Sequence, residues 1–396
     1  MATDRPSAGD RRGRVFPDEV PILTDPSGRV RLRAHTEADL PAIVEQSNDP
    51  DAQRWTPVPI PAGGYGLAEA RDFALGIIPA GWRDGTGFGW AIDADLGHGH
   101  RYAGAIDLGL RHDGSAEIGF SLHPAARGHG VMSTAVRLVR DHGFDQLGVR
   151  VLRWRARVGN WPSRRVAAAA GFRYDGRIRR SLEIRGELVD GWVATIASDD
   201  PRQPIRLPEN PVLTGERSAS DPAVQVRPYT EDDAERLVQI CSDPATRRYA
   251  PRLPYPYTTR DAVEFVESLR EAAATGRGFG WCYTDPADGV AAGTITVGLS
   301  DAGRAELGYS AHPDSRGRGL TTAAVRTVAE FLGGRSTGLP VPVRSVLIRC
   351  AASNAGSRRV AERAGFVLIG TQPAAEVLAD GTVDDLLLFH RVCHTR

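Results

Sequence analysis

Arg127-Gly-His-Gly-Val-Met-Ser133 and Arg316-Gly-Arg-Gly-Leu-Thr-Thr322 are two copies of one turn, and their surroundings decide how the chain folds. Ahead of the first, Ala116-Glu-Ile-Gly-Phe-Ser-Leu122 alternates apolar and polar residues; behind it, Ala135, Val136, Val139 and Phe144 recur at helical spacing. The turn therefore joins a strand to a helix. Glycines at 128 and 130, and again at 317 and 319, let the N–H groups of the helix start approach one anion such as a phosphate or pyrophosphate. Glycines between a strand and a helix are usually plain punctuation. Here the flanks repeat as well, Glu117-Ile-Gly-Phe-Ser-Leu-His-Pro124 against Glu306-Leu-Gly-Tyr-Ser-Ala-His-Pro313, and punctuation does not keep a carboxylate at the same offset.

Outward from the turns the repeat continues. Val30-Arg-Leu-Arg-Ala-His-Thr-Glu-Ala-Asp39 matches Val224-Gln-Val-Arg-Pro-Tyr-Thr-Glu-Asp-Asp233, a short strand followed by Thr36 or Thr230 as N-cap with an acid three residues on. Aromatic, Pro-rich stretches follow at 54–61 and 248–257, suited to loops that hold a ligand. A helix comes next (about 67–79 and 259–274), then strands opening at Gly87-Phe-Gly-Trp90 and Gly278-Phe-Gly-Trp281, a third strand, and the strand with Glu117 or Glu306. Past each turn and its helix, a fifth strand leads to Asn160-Trp-Pro-Ser163 or Asn354-Ala-Gly-Ser357, a short helix, and Ala-Gly-Phe as its C-cap. Two more strands close each module. The chain is thus read as a flexible arm at 1–28, a domain at 29–198, a Pro- and Ser-rich linker at 199–222 and a second domain at 223–396.

With 396 residues the chain has room for two or three domains. It has 41% hydrophobic residues and no apolar run long enough to span a bilayer, so no membrane partner is expected. The first residues lack the apolar core of a signal peptide, which points to the cytoplasm. Cys241, Cys282, Cys350 and Cys393 form no CxxC and no His/Cys cluster, so neither a disulfide framework nor a metal site is indicated. All 49 basic residues are Arg, which excludes a lysine Schiff base, and 49 acidic residues balance them. No module carries the basic footprint of a nucleic-acid binder.

A strand with Glu, Arg-Gly-x-Gly, a helix, a strand, Asn-x-x-Ser and Ala-Gly-Phe, in that order and twice over, resemble the GNAT superfamily of N-acetyltransferases, in its ribosomal-protein alanine acetyltransferase branch. The likeness covers nearly all of 29–198 and 223–393. It implies two tandem α/β (α+β) domains, each a mixed, mostly antiparallel sheet flanked by helices and splayed open between its fourth and fifth strands. Acetyl-CoA, or another acyl-CoA, is implied as the donor lying in that opening. Carried over by position, Arg127, Gly128, His129, Gly130, Val131, Met132 and Ser133 match the pyrophosphate loop, as do Arg316, Gly317, Arg318, Gly319, Leu320, Thr321 and Thr322. Met132 and Thr321 depart from the small residue the superfamily often has there. Asn160 and Asn354 match residues that hold the pantetheine arm.

The same resemblance gives the chemistry its places. An amine attacking a thioester must lose a proton, the oxyanion needs an N–H donor, and the departing sulfur benefits from a proton. Glu117 and Glu306 are the expected bases, the N–H groups of Leu122 and Ala311 the oxyanion donors, and Ser163 and Ser357 the groups facing sulfur. The leading expectation is transfer to a primary amine, on a small molecule or a peptide N-terminus, in a ternary complex. An acyl carrier protein as donor, or a CoA-binding sensor without turnover, are the alternatives. The duplication makes a monomer with pseudo-dimeric domains the expected state.

Overall fold

The computed structural model describes residues 19–300, 302–334 and 342–393. They form two compact units that divide between Arg206 and Leu207. In the first, the strands are β1 (Leu23–Thr24), β2 (Val30–Arg33), β3 (Gly87–Asp95), β4 (His100–Leu110), β5 (Ser115–Leu122), β6 (Val151–Arg157), β7 (Arg173–Ile184) and β8 (Glu187–Ala197). They make one sheet in the order β1-β2-β3-β4-β5-β6-β8-β7. Its helices are α1 (Leu40–Asn48), α2 (Pro50–Trp55), α3 (Leu67–Arg71), α4 (Ile78–Asp84), α5 (Val131–Asp145) and α6 (Trp161–Ala169), with a π-helical turn at Asp72–Ile77 joining α3 to α4.

The second unit repeats the plan. Its strands β9 (Leu213–Gly215), β10 (Val224–Arg227), β11 (Gly278–Thr284), β12 (Ala291–Leu299), β13 (Arg304–Ala311), β14 (Ser345–Ala351), β15 (Val367–Val377) and β16 (Val383–Val392) run β15-β16-β14-β13-β12-β11-β10-β9 across the sheet. Its helices are α7 (Ala234–Ser242), α8 (Pro244–Arg248), α9 (Thr259–Ala274), α10 (Leu320–Gly333) and α11 (Ala355–Arg363).

Alternation along the strands sends two sets of side chains to two faces. On one face Trp90, Ile106, Leu108, Ala116, Ile118, Leu152 and Trp154 share a core with Val131, Ala135, Val136 and Val139 of α5 and Ala167 of α6. On the other, Leu40 and Ile43 of α1 and Ala70 of α3 cluster with Tyr102 of β4. This second layer stops short of β5 and β6, so Asp107 is exposed there and Glu117 and Arg155 keep solvent access. The starts of α1 and α7 follow the expected chemistry: Thr36 N–H donates to Asp39 Oδ2 and Thr230 N–H to Asp233 Oδ2, both at 2.8 Å.

Two stretches expected without structure carry strands. Within the arm, Leu23–Thr24 pairs with β2, and Pro21 O accepts the Trp90 indole N–H at 3.0 Å; the arm before Glu19 lies outside the described residues. Within the linker, Leu213–Gly215 pairs with β10, and Pro211 O accepts the Trp281 indole N–H at 2.8 Å. A two- or three-residue edge strand offers no periodicity to read. The linker's first part is tied down too: Arg202 pairs with Asp145 and Asp141, and Ile205 N–H donates to Ala168 O at 2.8 Å. Between its glycine turn and Asn354 the second module has five residues more than the first, which the sequence places in a longer loop around Gly333 to Pro340; positions 335–341 lie outside the described residues.

Candidate active site

Parallel pairing between β5 and β6 runs from Ser115↔Val151 to Ile118↔Trp154 and stops there, although β5 continues to Leu122 and β6 to Arg157. Between β13 and β14 it stops at Glu306↔Leu347. Each sheet is therefore split. His123 N–H donates to Ala103 O at 2.8 Å, so odd-numbered β5 residues bond to β4 and the N–H groups of Phe120 and Leu122 point into the split. His312 N–H donates to Ala292 O at 2.8 Å, which aims the Ala311 N–H into the second split by the same register.

The glycine turn ends at the start of α5. Gly128 and Gly130 have φ of 80° and 73°, a region that favours glycine, and a Cβ on either would meet nothing within 4 Å. The turn is an open cradle with unpaired helix-start N–H groups, which fits a pyrophosphate. Val131 and Met132 are buried beneath it, so only their backbone faces outward; His129 is exposed and Ser133 half-buried. The Arg127 guanidinium turns away and pairs with Asp49, which also caps α2 by accepting the Ala52 N–H at 2.8 Å. Burial works against the Asp49 charge, but Arg127 and that N–H hold its carboxyl below the usual range. Arg127 is thus a brace of the turn, and Arg316 repeats the brace with Asp243.

The second turn differs in its surroundings. Gly317 and Gly319 keep φ of 77° and 81°, yet a Cβ on Gly319 would stand 3.1 Å from Pro222 Cδ. Next to Pro222, Asp221 pairs with Arg326 of α10, which also donates to Ser220 Oγ at 3.3 Å and to Arg363 O. Arg318 pairs with Asp285 at 2.6 Å. Leu320 and Thr322 are buried, and Thr321 Oγ1 lies 2.8 Å from Tyr283 OH.

Asn160 and Asn354 act as N-caps: their Oδ1 atoms accept the Ser163 N–H at 3.2 Å and the Ser357 N–H at 3.0 Å. Each Ser is thereby fixed at the first turn of α6 or α11. Trp154 Nε1 donates to Ser163 Oγ at 3.0 Å. Ser357 Oγ instead lies 2.9 Å from Tyr309 OH, which also donates to Ser357 O at 3.0 Å.

The two glutamates sit on the open face. Glu117 Oε2 accepts from Arg111 at 2.5 Å, and Oε1 accepts from Arg155 Nε at 2.9 Å and Nη2 at 2.7 Å. Among the described residues Glu306 is paired on one oxygen only, by Arg349 at 2.8 and 2.6 Å, and its side chain is 48% exposed against 26% for Glu117. Asp107 was missed by motif reading. It lines a depression of about 320 Å³ with Arg111, Glu117 and Gly119, directly opposite Gly119 in the β4–β5 register. Crowding by the floor of the depression and repulsion from Glu117 push its carboxyl up to about 7. The mouth stays open to water, which softens the first cause more than the second.

A family model for the acetyltransferase (GNAT) domain matches residues 29–173 and, a second time, 224–367. The chain belongs to the GNAT acetyltransferase family. Both GNAT modules are covered from β2 or its counterpart β10 up to the first residue of β7 or β15. A probable N-acetyltransferase of Bacillus subtilis, YjcK, is 36% identical over 89 residues, 22% of this chain and 49% of that protein, so the chain spans about half the length of the curated relative it matches. Among solved GNAT structures, Mycobacterium smegmatis RimJ in complex with CoA-disulfide aligns at 25% identity and a TM-score of 0.41, over 48% of this chain and 91% of its own. The Salmonella typhimurium acetyl transferase that modifies the N-terminal serine of ribosomal protein L7/L12 aligns at 20% identity and 0.39, over 45% and 99%. Among the described residues, no helix is long and apolar enough to cross a membrane.

Proposed function

We propose that the chain transfers an acetyl or other acyl group from acyl-CoA to a primary amine by direct attack, and that the first module does the work. The observation carrying this reading is the split beside β5: one opening has the Leu122 N–H on one edge, Ser163 near the other, and an uncovered glycine cradle at its end. The backbone of 128–133 would hold the pyrophosphate, the Phe120 and Leu122 edge the pantetheine amide and the acyl oxygen, and Ser163 the leaving sulfur. The amine would enter from the open face that carries Glu117. Glu117 stands on that face, with both carboxylate oxygens engaged by arginines.

The test mixes the full chain with acetyl-CoA and peptides beginning with Ala or Ser, spermidine or kanamycin, and follows thiol release. Transfer to at least one amine supports the reading. Tight acetyl-CoA binding with no release across the panel favours a sensor, and release only from an acyl carrier protein favours the carrier-dependent alternative. For the second module donor binding much weaker than in the first is the better reading, because Pro222 crowds its turn and Asp221 occupies Arg326.

A further inference from the structure

Taking the first module as an acyltransferase, we infer that Asp107, rather than Glu117, is the group that accepts the proton of the incoming amine. Gly119 is the first β5 residue beyond the last β5–β6 pair, and so marks the point where the sheet opens. Asp107 reaches across from β4 onto this residue: a Cβ at 119 would sit 2.9 Å from its Oδ1 and 3.3 Å from its Oδ2. The missing side chain at 119 lets a carboxylate lie at the mouth of the split. Both oxygens of Glu117 are held by Arg111 and Arg155, whereas Asp107 has no hydrogen-bond or ion-pair partner among the described residues. Protonating a carboxylate bound by two guanidiniums cancels the charge on which both ion pairs depend. Protonating Asp107 breaks none.

Other charges bear on this position. Glu117 faces it from β5, Arg111 from the end of β4, and Arg153 and Arg155 from β6, with Asp113 paired to Arg153 at 3.1 Å. Partial burial, with the Glu117 charge added to it, raises the Asp107 carboxyl toward neutrality. The second module has Thr296 opposite Gly308, with its hydroxyl donating to Gly308 O at 3.4 Å, and lacks an acid there.

The step balances. An ammonium group gives one proton to the Asp107 carboxylate, and the freed nitrogen lone pair forms the C–N bond while the carbonyl π pair moves onto oxygen. As that pair returns, the C–S bond breaks and sulfur keeps its electrons. Ser163 Oγ–H gives its proton to sulfur and is reprotonated through water by the second proton nitrogen loses, and Asp107 passes the first to water.

Asp107→Asn in the full chain tests this with acetyl-CoA and whichever amine of the panel the wild type uses. The expected result is a loss of ~10²-fold or more in kcat with acetyl-CoA affinity kept, and disappearance of the rise in kcat/KM as pH passes about 7. Retained acetyl-CoA binding shows that the variant is folded. A wild type that transfers alongside an Asp107→Asn variant with full rate and the same pH limb overturns the inference and leaves the acyltransferase reading intact. A wild type silent toward every amine overturns that reading first.

Discussion

The indole N–H of Trp154 is bonded to Ser163 Oγ, and because an indole only donates, Ser163 accepts and keeps its own proton free. In the second module Tyr309 has one proton and gives it to Ser357 O, so the Ser357 hydroxyl supplies the proton of the Tyr309–Ser357 bond. One serine can donate to a leaving sulfur; the other is engaged. Ser163→Ala should lower kcat by roughly tenfold or more, and Ser357→Ala should change it by less than about twofold, in a thiol-release assay. The reverse ranking would place turnover in the second module.

Gly130→Val should raise the Kd for acetyl-CoA by roughly tenfold or more. The side chain would fill an open cradle, and a left-handed residue other than glycine costs ~1–2 kcal/mol. Gly319→Val should leave the tight-binding isotherm in place. Titration calorimetry with matched thermal melts separates weakened binding from lost folding.

The wild type should bind one acetyl-CoA tightly per chain. Asp221→Ala combined with Pro222→Gly frees Arg326 and uncovers Gly319, and should bring the stoichiometry toward two. Equilibrium dialysis with labelled acetyl-CoA reads the number directly.

Asp107 also has a signature in stability. Burial and the Glu117 charge raise its carboxyl above the ordinary 3.8, by less than a closed pocket would because the side chain is exposed to water, so the folded state holds the proton more tightly. Stability therefore falls as pH climbs from about 4 to 7, and the loss persists above that. Asp107→Asn removes the charge and should melt above the wild type at about pH 8 by roughly a few degrees, with the gap closing near pH 4. Calorimetric scans at the two pH values check the sign.

Local motifs made most of the architecture legible. Glu117, the glycine turn and Asn160-Trp-Pro-Ser163 each report on a few consecutive residues, and the helix N-caps and turn conformations follow from those residues alone. Three features were not legible. Asp107 matters through a register partner with no side chain, so its signal is the contrast of Asp107 with Thr296 opposite matching glycines. Arg127 looked like an anion ligand, but its partner Asp49 lies far back in the sequence. The edge strands β1 and β9 were hidden by polar, Pro-rich surroundings, although Pro21-Ile-Leu-Thr24 and Pro211-Val-Leu-Thr214 repeat one another.

That last pair has a genealogical meaning. Since Pro21 holds Trp90 and Pro211 holds Trp281 by the same bond, the ancestral unit that was copied already included its leading strand, and the join between copies lies upstream of Glu209. One difference between the modules lies in the front end of the second copy. Its four extra residues between Thr214 and Val224, relative to Thr24 and Val30, bring Ser220 to Pro222 onto the second turn. Four residues more in one connection thus go with a second turn that a proline crowds, where the first stands open.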